Sequence, residues 1–470
     1  MAATVALSTP ATANVAITRV SRDPYTNTDA YHQTELEPDT FAWGSTIVGV
    51  FQTGRFPGGG ADNIGFATST DGGATWTHGF LPSTTVYANP PGPYARISDP
   101  SIAYDAKHNV WMAEGLTVDT VNTVLVNRSL DGGLTWKKPV IVSTPTGGAD
   151  YDKTWIACDN WSQSPHYGNC YAEVDDFNHG DLVKMFTSSD GGKTWSEATV
   201  APAHGLGGQP LAQPSGGVVV PFTSDTGSIQ VIVSGDGGAT YSGPYTISNI
   251  AHHSVLFLRT PTLPSAEVDK KGKVYVVWSD CRFRSGCASN DIVVSTSKDG
   301  QTWTPVVRIP IDPVDSTVDH FIPGIGVDRS AGGSSARLAL TYYYYPQSSC
   351  TLDTCQLDAG FVSSIDGGAN WSTPTQILGP IKLAWLPSAG GKFVGDYIST
   401  SIVGDSAYPV IANAKQGNGN CVLGQIKSCN EYMIAPTSGL PIQGGTVRAG
   451  HDRVRSARSN HPWVRPATTF

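Results

Sequence analysis

Short runs of β-branched and aromatic residues recur along the chain, each bounded by Gly, Pro, Asn or Asp, a pattern that predicts strands joined by tight turns. Residues 98–105, 110–114, 123–129 and 140–143 make one set of four, and residues 264–269, 274–278, 292–297 and 306–309 make another. Between the third and fourth strand of each set lies one phrase, Ser-x-Asp-Gly-Gly-x-Thr-Trp. It occurs six times with small variations, at 69–76, 129–136, 188–195, 234–241, 297–303 and 364–371. Its aspartates, Asp71, Asp131, Asp190, Asp236, Asp299 and Asp366, recur at intervals of about 60 residues. The phrase is hairpin-turn chemistry: glycine supplies positive φ, the Asp side chain accepts hydrogen bonds from the turn, and the closing aromatic covers it. After the sixth copy and its strand at 375–378, three more strand-like runs follow, at 396–403, 408–414 and 431–435. They lack a fourth strand, whereas residues 14–20 form a strand without a set, so pairing the two completes a seventh group.

The repeated phrase resembles the Asp-box (BNR) repeat of the sialidase-like β-propeller superfamily, over a region from about Glu35 to about Ala435. The resemblance implies four-stranded blades with each box in the turn between the third and fourth strands, and a structural role for every boxed Asp. The expected fold is therefore all-β, a seven-bladed β-propeller closed by pairing the N-terminal strand with the last blade. One domain is expected over 1–447, followed by a tail over 448–470 with five Arg, docked across the surface or disordered.

Composition narrows the function. With 52 Gly and 32 Pro the chain is not helical, and 39% hydrophobic against 15% charged residues excludes a disordered chain. A net charge of −9 argues against nucleic acid or an anionic membrane as partner, and no stretch reaches the roughly 20 apolar residues that span a bilayer. The eight cysteines fall in four local couples, without zinc-site spacing: Cys158 with Cys170, Cys281 with Cys287, Cys350 with Cys355, and Cys421 with Cys429. They read as four disulfides and hence an oxidising compartment: an extracellular, secreted chain whose signal has been removed, expected to be a monomer. Sequons at Asn127, Asn160 and Asn370 permit glycosylation but are weak signals.

In a propeller the innermost strands start on the face opposite the boxes, beside the central channel. Those starts carry Glu35 and Glu37, Asp99, Asp152 and Lys153, Gln209, Arg259, His320, and Asp396 with Tyr397. So many convergent polar groups point to a site. Loops on the same face add Arg55 in a Gly-rich turn and Arg282 between Cys281 and Cys287, with Arg96 nearby. The couples at Cys281, Cys350 and Cys421 are expected to brace loops on this face. The residue types suit carbohydrate chemistry, because Arg binds carboxylates bidentately, aromatic faces stack on sugars, and His or Tyr moves protons.

Sialidase resemblance implies hydrolysis of terminal sialic acid, but the family's Arg-Ile-Pro entry motif is absent near the N-terminus and sialidases have six blades. The chain also resembles secreted seven-bladed members such as rhamnosyl-glucuronate lyases, which implies cleavage next to a uronic acid in an acidic polysaccharide, by carboxylate neutralisation and abstraction of the C5 proton. The candidate catalytic residues are then His320, Tyr397 and Arg259, with Arg55, Arg96, Arg282, Glu37, Gln209 and Lys153 binding substrate. No cofactor is required by the sequence; a Ca2+ in the channel would be held by Asp99, Asp152 or Asp396. An exo-glycosidase of sialidase type, using the carboxylates as an acid/base pair, and a non-catalytic glycan-binding propeller stay open.

Overall fold

The computed structural model describes residues 15–449; most of the tail expected over 448–470 lies outside the described residues. Within them the fold is all-β, with four 3-10 turns and no α-helix. Turn residues every few positions leave no room for helical turns, while Val, Ile, Thr and aromatic residues favour a pleated backbone.

The strands fall into seven consecutive antiparallel groups. The first comprises Glu35–Trp43, Thr46–Arg55, Ala61–Ser69 and Thr77–Phe80. The second runs Arg96–Asp105, Val110–Val118, Val124–Ser129 and Val140–Ser143, and the third Tyr151–Cys158, Cys170–Asp176, Leu182–Ser188 and Ser196–Glu197. The fourth is built on Leu211–Ala212, Val218–Ser224, Ser228–Ser234 and Thr240–Asn249, and the fifth on Ser265–Val268, Val274–Asp280, Asp291–Ser297 and Val307–Arg308. The sixth is Asp319–Val327, Leu338–Tyr345, Gln356–Ser364 and Thr375–Lys382. In the seventh, Thr400–Val403 pairs with Ser406–Pro409, whose continuation Ile411–Ala414 pairs with Glu431–Pro436. The N-terminal strand Ile17–Arg19 then pairs antiparallel with Glu431–Pro436, as expected, with Thr18 opposite Ala435.

First strands of successive groups lie side by side, the seventh beside the first. Their unpaired backbone N–H groups need acceptors, because a buried orphan donor is costly. Side chains of neighbouring strands supply them. Asp39 accepts from Ile102 N at 2.8 Å, Ser101 from Ile156 N at 3.0 Å, Gln209 from Ala266 N at 2.9 Å and Ser265 from Ile325 N at 3.1 Å. Thr400 Oγ1 donates to Gly324 O at 2.8 Å, and Ser399 Oγ accepts from Thr40 N at 2.7 Å. Gln209, expected to bind substrate, is thus an inter-strand brace.

The six boxes are structural. Asp71 Oδ1 accepts from Ser69 Oγ at 2.8 Å and Thr75 N at 2.9 Å, and Oδ2 accepts from Thr75 Oγ1 at 2.6 Å; Asp131, Asp190 and Asp236 repeat this scheme. The second glycine of a box has a further role. Gly133 has φ +81, and a Cβ there would lie 2.7 Å from Val48 of the preceding group. Gly192 meets Met112 and Gly238 meets Tyr171 in the same way, while Gly73 of the first group meets Tyr408 of the seventh. Each of these turns is therefore a seat for its neighbour as well as a hairpin.

All four expected disulfides are present, with the partners read from the sequence. Cys158 bonds to Cys170, directly opposite it in the first strand pair of the third group. Cys281 bonds to Cys287 and closes the loop after Val274–Asp280. Cys350 bonds to Cys355 between the second and third strands of the sixth group, and Cys421 to Cys429 between Ile411–Ala414 and Glu431–Pro436 of the seventh. No cysteine is left free. The three sequons serve structure: Asn127 Nδ2 donates to Lys137 O at 2.8 Å, Asn160 Nδ2 to Tyr104 O at 2.7 Å, and Asn370 takes the place of the box Thr against Asp366.

Candidate functional site

A pocket opens on the face of the strand starts, opposite the boxes. Glu37, Arg55, Asp99, Asp152, Lys153, Arg259 and Asp396 all line it, together with the Gly-rich turn 57–60, Asn122 and Thr262.

A repeated backbone device places three of these. At Glu37, Asp99 and Lys153 the first strand of its group bulges: the register with the second strand shifts between Leu36 and Asp39, between Ser98 and Ser101, and between Asp152 and Thr154. The three residues have φ +56, +48 and +36. A non-glycine residue in the left-handed region costs about 1–3 kcal/mol, and such strain concentrates at functional sites. The equivalent bulge of the sixth group, at Ile322 with φ +49, carries an apolar side chain. Pro38, Pro100 and Pro323, which follow Glu37, Asp99 and Ile322, are a sequence trace of the device that is missing after Lys153, where Thr154 follows. Beside Glu37 runs the segment bearing Asp396. Gly395 makes this possible, since a Cβ there would lie 2.5 Å from Glu37 Cα.

The electrostatics are uneven. Burial, reinforced by Asp99 and Asp396 and only partly offset by Arg55 and Arg259, pushes the Glu37 carboxyl up to about 8. Its Oε2 accepts from Gln52 Nε2 and its Oε1 from Asp396 N at 3.3 Å. Arg259 grips Asp396 with two parallel bonds, Nε to Oδ1 at 2.9 Å and Nη2 to Oδ2. Burial alone would lower the guanidinium's pKa, but the Asp396 carboxylate outweighs it and raises it. Arg55 donates from Nη1 to Gln52 Oε1 at 2.7 Å and lies 5.0 Å from the Phe393 ring centre; burial lowers its pKa. The Lys153 ammonium sits 3.8 Å from the Tyr397 ring centre, 4.8 Å from that of Trp155 and 3.9 Å from Asp99 Oδ1. Beneath it, burial raises the carboxyls of Glu114, to about 8, and of Glu173.

Several expected roles are corrected by position. His320 is not in this pocket; it lines a separate cavity with Tyr342 and Tyr344. The Tyr397 hydroxyl donates to Pro100 O at 3.1 Å, and its ring is a buried support for Lys153, so it is not presented as a base. Arg282 is consumed by Asp280, through bonds of 2.8 and 2.7 Å, and by Ser248 Oγ at 2.9 Å, outside the pocket lining. Arg96 acts one step back: its Nη1 donates to Gly59 O at 2.7 Å and so holds the Gly-rich turn. Asp99, Asp152 and Asp396 do not suit Ca2+. Both Asp396 oxygens belong to Arg259 and Asp99 faces Lys153, and among the described residues the three do not converge as a ligand set. Nor do the disulfide loops reach the pocket: none of Cys281, Cys287, Cys350, Cys355, Cys421 and Cys429 is among its lining residues.

No family model matches the sequence. It is 24% identical over 280 residues to a sialidase of Bacteroides fragilis (strain YCH46), covering 53% of this chain and 49% of that protein. It is 27% identical over 278 residues to a sialidase of Micromonospora viridifaciens, covering 53% of this chain and 41% of that protein. The chain thus aligns with about half the length of the curated relatives it matches or less. Among solved structures, the intramolecular trans-sialidase of Ruminococcus gnavus is similar with a TM-score of 0.47, 14% identity, and 67% and 92% of the two chains covered. Six boxes on an all-β frame, together with these two sequence relatives, support the likeness of the chain to the sialidase-like Asp-box superfamily.

Proposed function

We propose that the chain is a secreted glycoside hydrolase, a closed seven-bladed propeller whose central pocket removes a terminal acidic sugar from a glycan. The observation that carries the chemistry is Glu37: its carboxyl, raised to about 8, is protonated at neutral pH in a pocket shared with Asp99 and Asp152. Two carboxyl groups in different environments are the pair that glycoside hydrolysis requires. Glu37 donates its proton to the leaving glycosidic oxygen as the bond to the anomeric carbon breaks. Asp99 or Asp152 acts at that carbon, as base for the incoming water or as nucleophile. Arg55 and Lys153 bind the sugar's carboxylate, as a sialic acid would require, while Arg259 is held by Asp396. Ring closure is supported by the pairing of Ile17–Arg19 with the last group and by Gly73 seated on Tyr408. Four disulfides support secretion.

The uronate-lyase reading draws on the same cations but needs a base in the pocket. With His320 elsewhere and Tyr397 committed to Pro100, that role falls to Lys153 or to one of the carboxylates Asp99 and Asp152. Incubation with glycans ending in sialic acid or in rhamnosyl-glucuronate separates the readings. A hydrolase releases saturated sugar and loses turnover, but not binding, in Glu37→Gln. Ultraviolet absorbance from an unsaturated uronate would establish the lyase instead, and binding without either product a lectin.

A further inference from the structure

His320 belongs to a second cavity, built on one face of the sixth strand group. His320 is register partner of Tyr344, Tyr342 of Gly360, and Gly360 of Gln376. Residues directly opposite, or two apart on one strand, share a sheet face, so these side chains form one wall. The ring centres of His320 and Tyr342 are 5.4 Å apart, those of Tyr342 and Tyr344 5.9 Å. Gly360 is what lets the Tyr342 ring lie across the third strand: a Cβ there would be 2.6 Å from its Cζ and Oη. Asp312, on the connection from the fifth group, closes the other side.

The charges behind this wall cancel. Arg284 Nη2 donates to Asp291 Oδ1 at 2.6 Å and to Asp312 Oδ1 at 2.7 Å; Arg308 Nε lies 2.8 Å from Asp291 Oδ1, and its Nη2 contacts Asp312. Two guanidiniums face two carboxylates, which leaves no unmatched charge for an anion. Asp291, Asp312 and His320 bring ligand atoms within 4.8 Å of one another, yet both carboxylates are occupied by arginine, so the trio does not suit a metal ion. Apart from Asp312, whose charge is matched by the two guanidiniums, what faces the cavity is aromatic and aliphatic surface and uncharged polarity. Among the described residues the Tyr342 and Tyr344 hydroxyls have no protein hydrogen-bond partner, and His320, whose Nδ1 is 3.3 Å from Asn290 O, leaves Nε2 for another group. Gln376 adds an amide at the rim. Aromatic walls with a few uncharged hydrogen-bonding groups fit a ligand with an apolar face and several hydroxyls.

We propose that this cavity is a second carbohydrate-binding site, distinct from the central pocket, that takes an uncharged sugar residue against Tyr344, with His320, the tyrosine hydroxyls and Gln376 as hydrogen-bonding partners. It would hold another part of the glycan while the central pocket acts on its end, but binding itself does not depend on the reaction proposed there. The test is titration of the full chain with galactose, glucose, mannose and rhamnose separately, followed by protein-observed NMR. The expected result is saturable binding of at least one sugar at millimolar concentration. Tyr344→Ala should weaken it at least about tenfold and Gln376→Ala in the same direction. Both variants should keep the unfolding temperature and the central-pocket turnover of a small aryl glycoside, and Glu37→Gln should keep the neutral-sugar binding. Absence of saturable binding by the unaltered chain would overturn the proposal, as would binding untouched by both variants. Binding of Ca2+ or Zn2+ that His320→Ala abolishes would overturn it too, making the cavity a metal site.

Discussion

The two faces of the molecule use the same side chain to opposite ends. On the box face, Asp71 lies in solvent amid hydrogen bonds from Thr75 and Ser69, which hold its carboxyl down at about 2. On the pocket face, Glu37 is buried beside other carboxylates, and its carboxyl rises to about 8. Donors stabilise charge and burial penalises it, so one acid is a permanent anion that organises a turn and the other keeps its proton at neutral pH. Repetition marks the first kind. The second occurs where the repeat is broken by a bulge and filled differently in each group: Glu37, Asp99, Lys153, and then an apolar Ile322.

This contrast can be broken most severely at Glu37. Glu37→Gln keeps the shape and removes the proton donor, so turnover of an acidic glycan should fall by about 10²–10⁴-fold with the fold retained; an unchanged rate would remove Glu37 from the mechanism. In the native protein, activity should decline as pH rises through about 8, where Glu37 gives up its proton.

Within one box, Gly132 and Gly133 separate turn geometry from neighbour packing. Both have positive φ, but a Cβ at Gly133 meets Val48 at 2.7 Å, whereas at Gly132 the nearest atom is 3.8 Å away. Gly133→Ala should therefore cost about 3 kcal/mol and Gly132→Ala about 1–2 kcal/mol in denaturant unfolding. Equal losses would mean that the second glycine serves the hairpin alone.

The two faces should also oppose each other in pH. Glu35, Glu37 and Glu114 are raised to about 8 and Asp39 to about 7, all first through burial. Between the unfolded carboxyl range near about 4 and these values, the folded state holds more protons, so stability should fall as pH rises from about 5 to 8. The box carboxyls at Asp190 and Asp236, lowered to about 2, stabilise the fold above about 4, and that contribution disappears as pH falls through about 2. Unfolding temperature measured from pH 2 to 9 should peak in the mildly acidic range, and Glu114→Gln should flatten the alkaline side. The smallest effect is expected for a single box anion: Asp190→Ala, at a partly exposed and solvent-screened site, should cost about 1 kcal/mol.

Legibility in the sequence follows the same division. The boxes were readable because each closes on itself within eight residues, and the strands around them because alternation and turn residues are local. The cysteine pairs were readable for the same reason, since Cys287, Cys355 and Cys429 each lie within a few residues of their partners. The seventh group was readable by counting, an N-terminal strand against a set lacking one. At the pocket, Glu37, Arg55, Asp99, Asp152, Lys153, Arg259 and Asp396 were found by their place at strand starts and loops on one face. The same rule also admitted Gln209 and His320. Gln209 is drawn off by an orphan N–H of the next strand, and His320 lies on a sheet face turned toward the fifth group instead of the channel. Neither outcome has a signature in the flanking residues.

What the sequence determined by itself is therefore whatever depends on near neighbours: the hairpins, the strand period, the cysteine pairs and the structural role of every boxed Asp. Only the tertiary structure decided which charges meet. A carboxyl's pKa and role depend on burial and on partners from distant parts of the chain, as Asp396 meets Arg259 and Gly395 lets it pass Glu37. Side-chain chemistry was written in the sequence; the dielectric and the counter-charges that select among its uses exist only once the chain has folded.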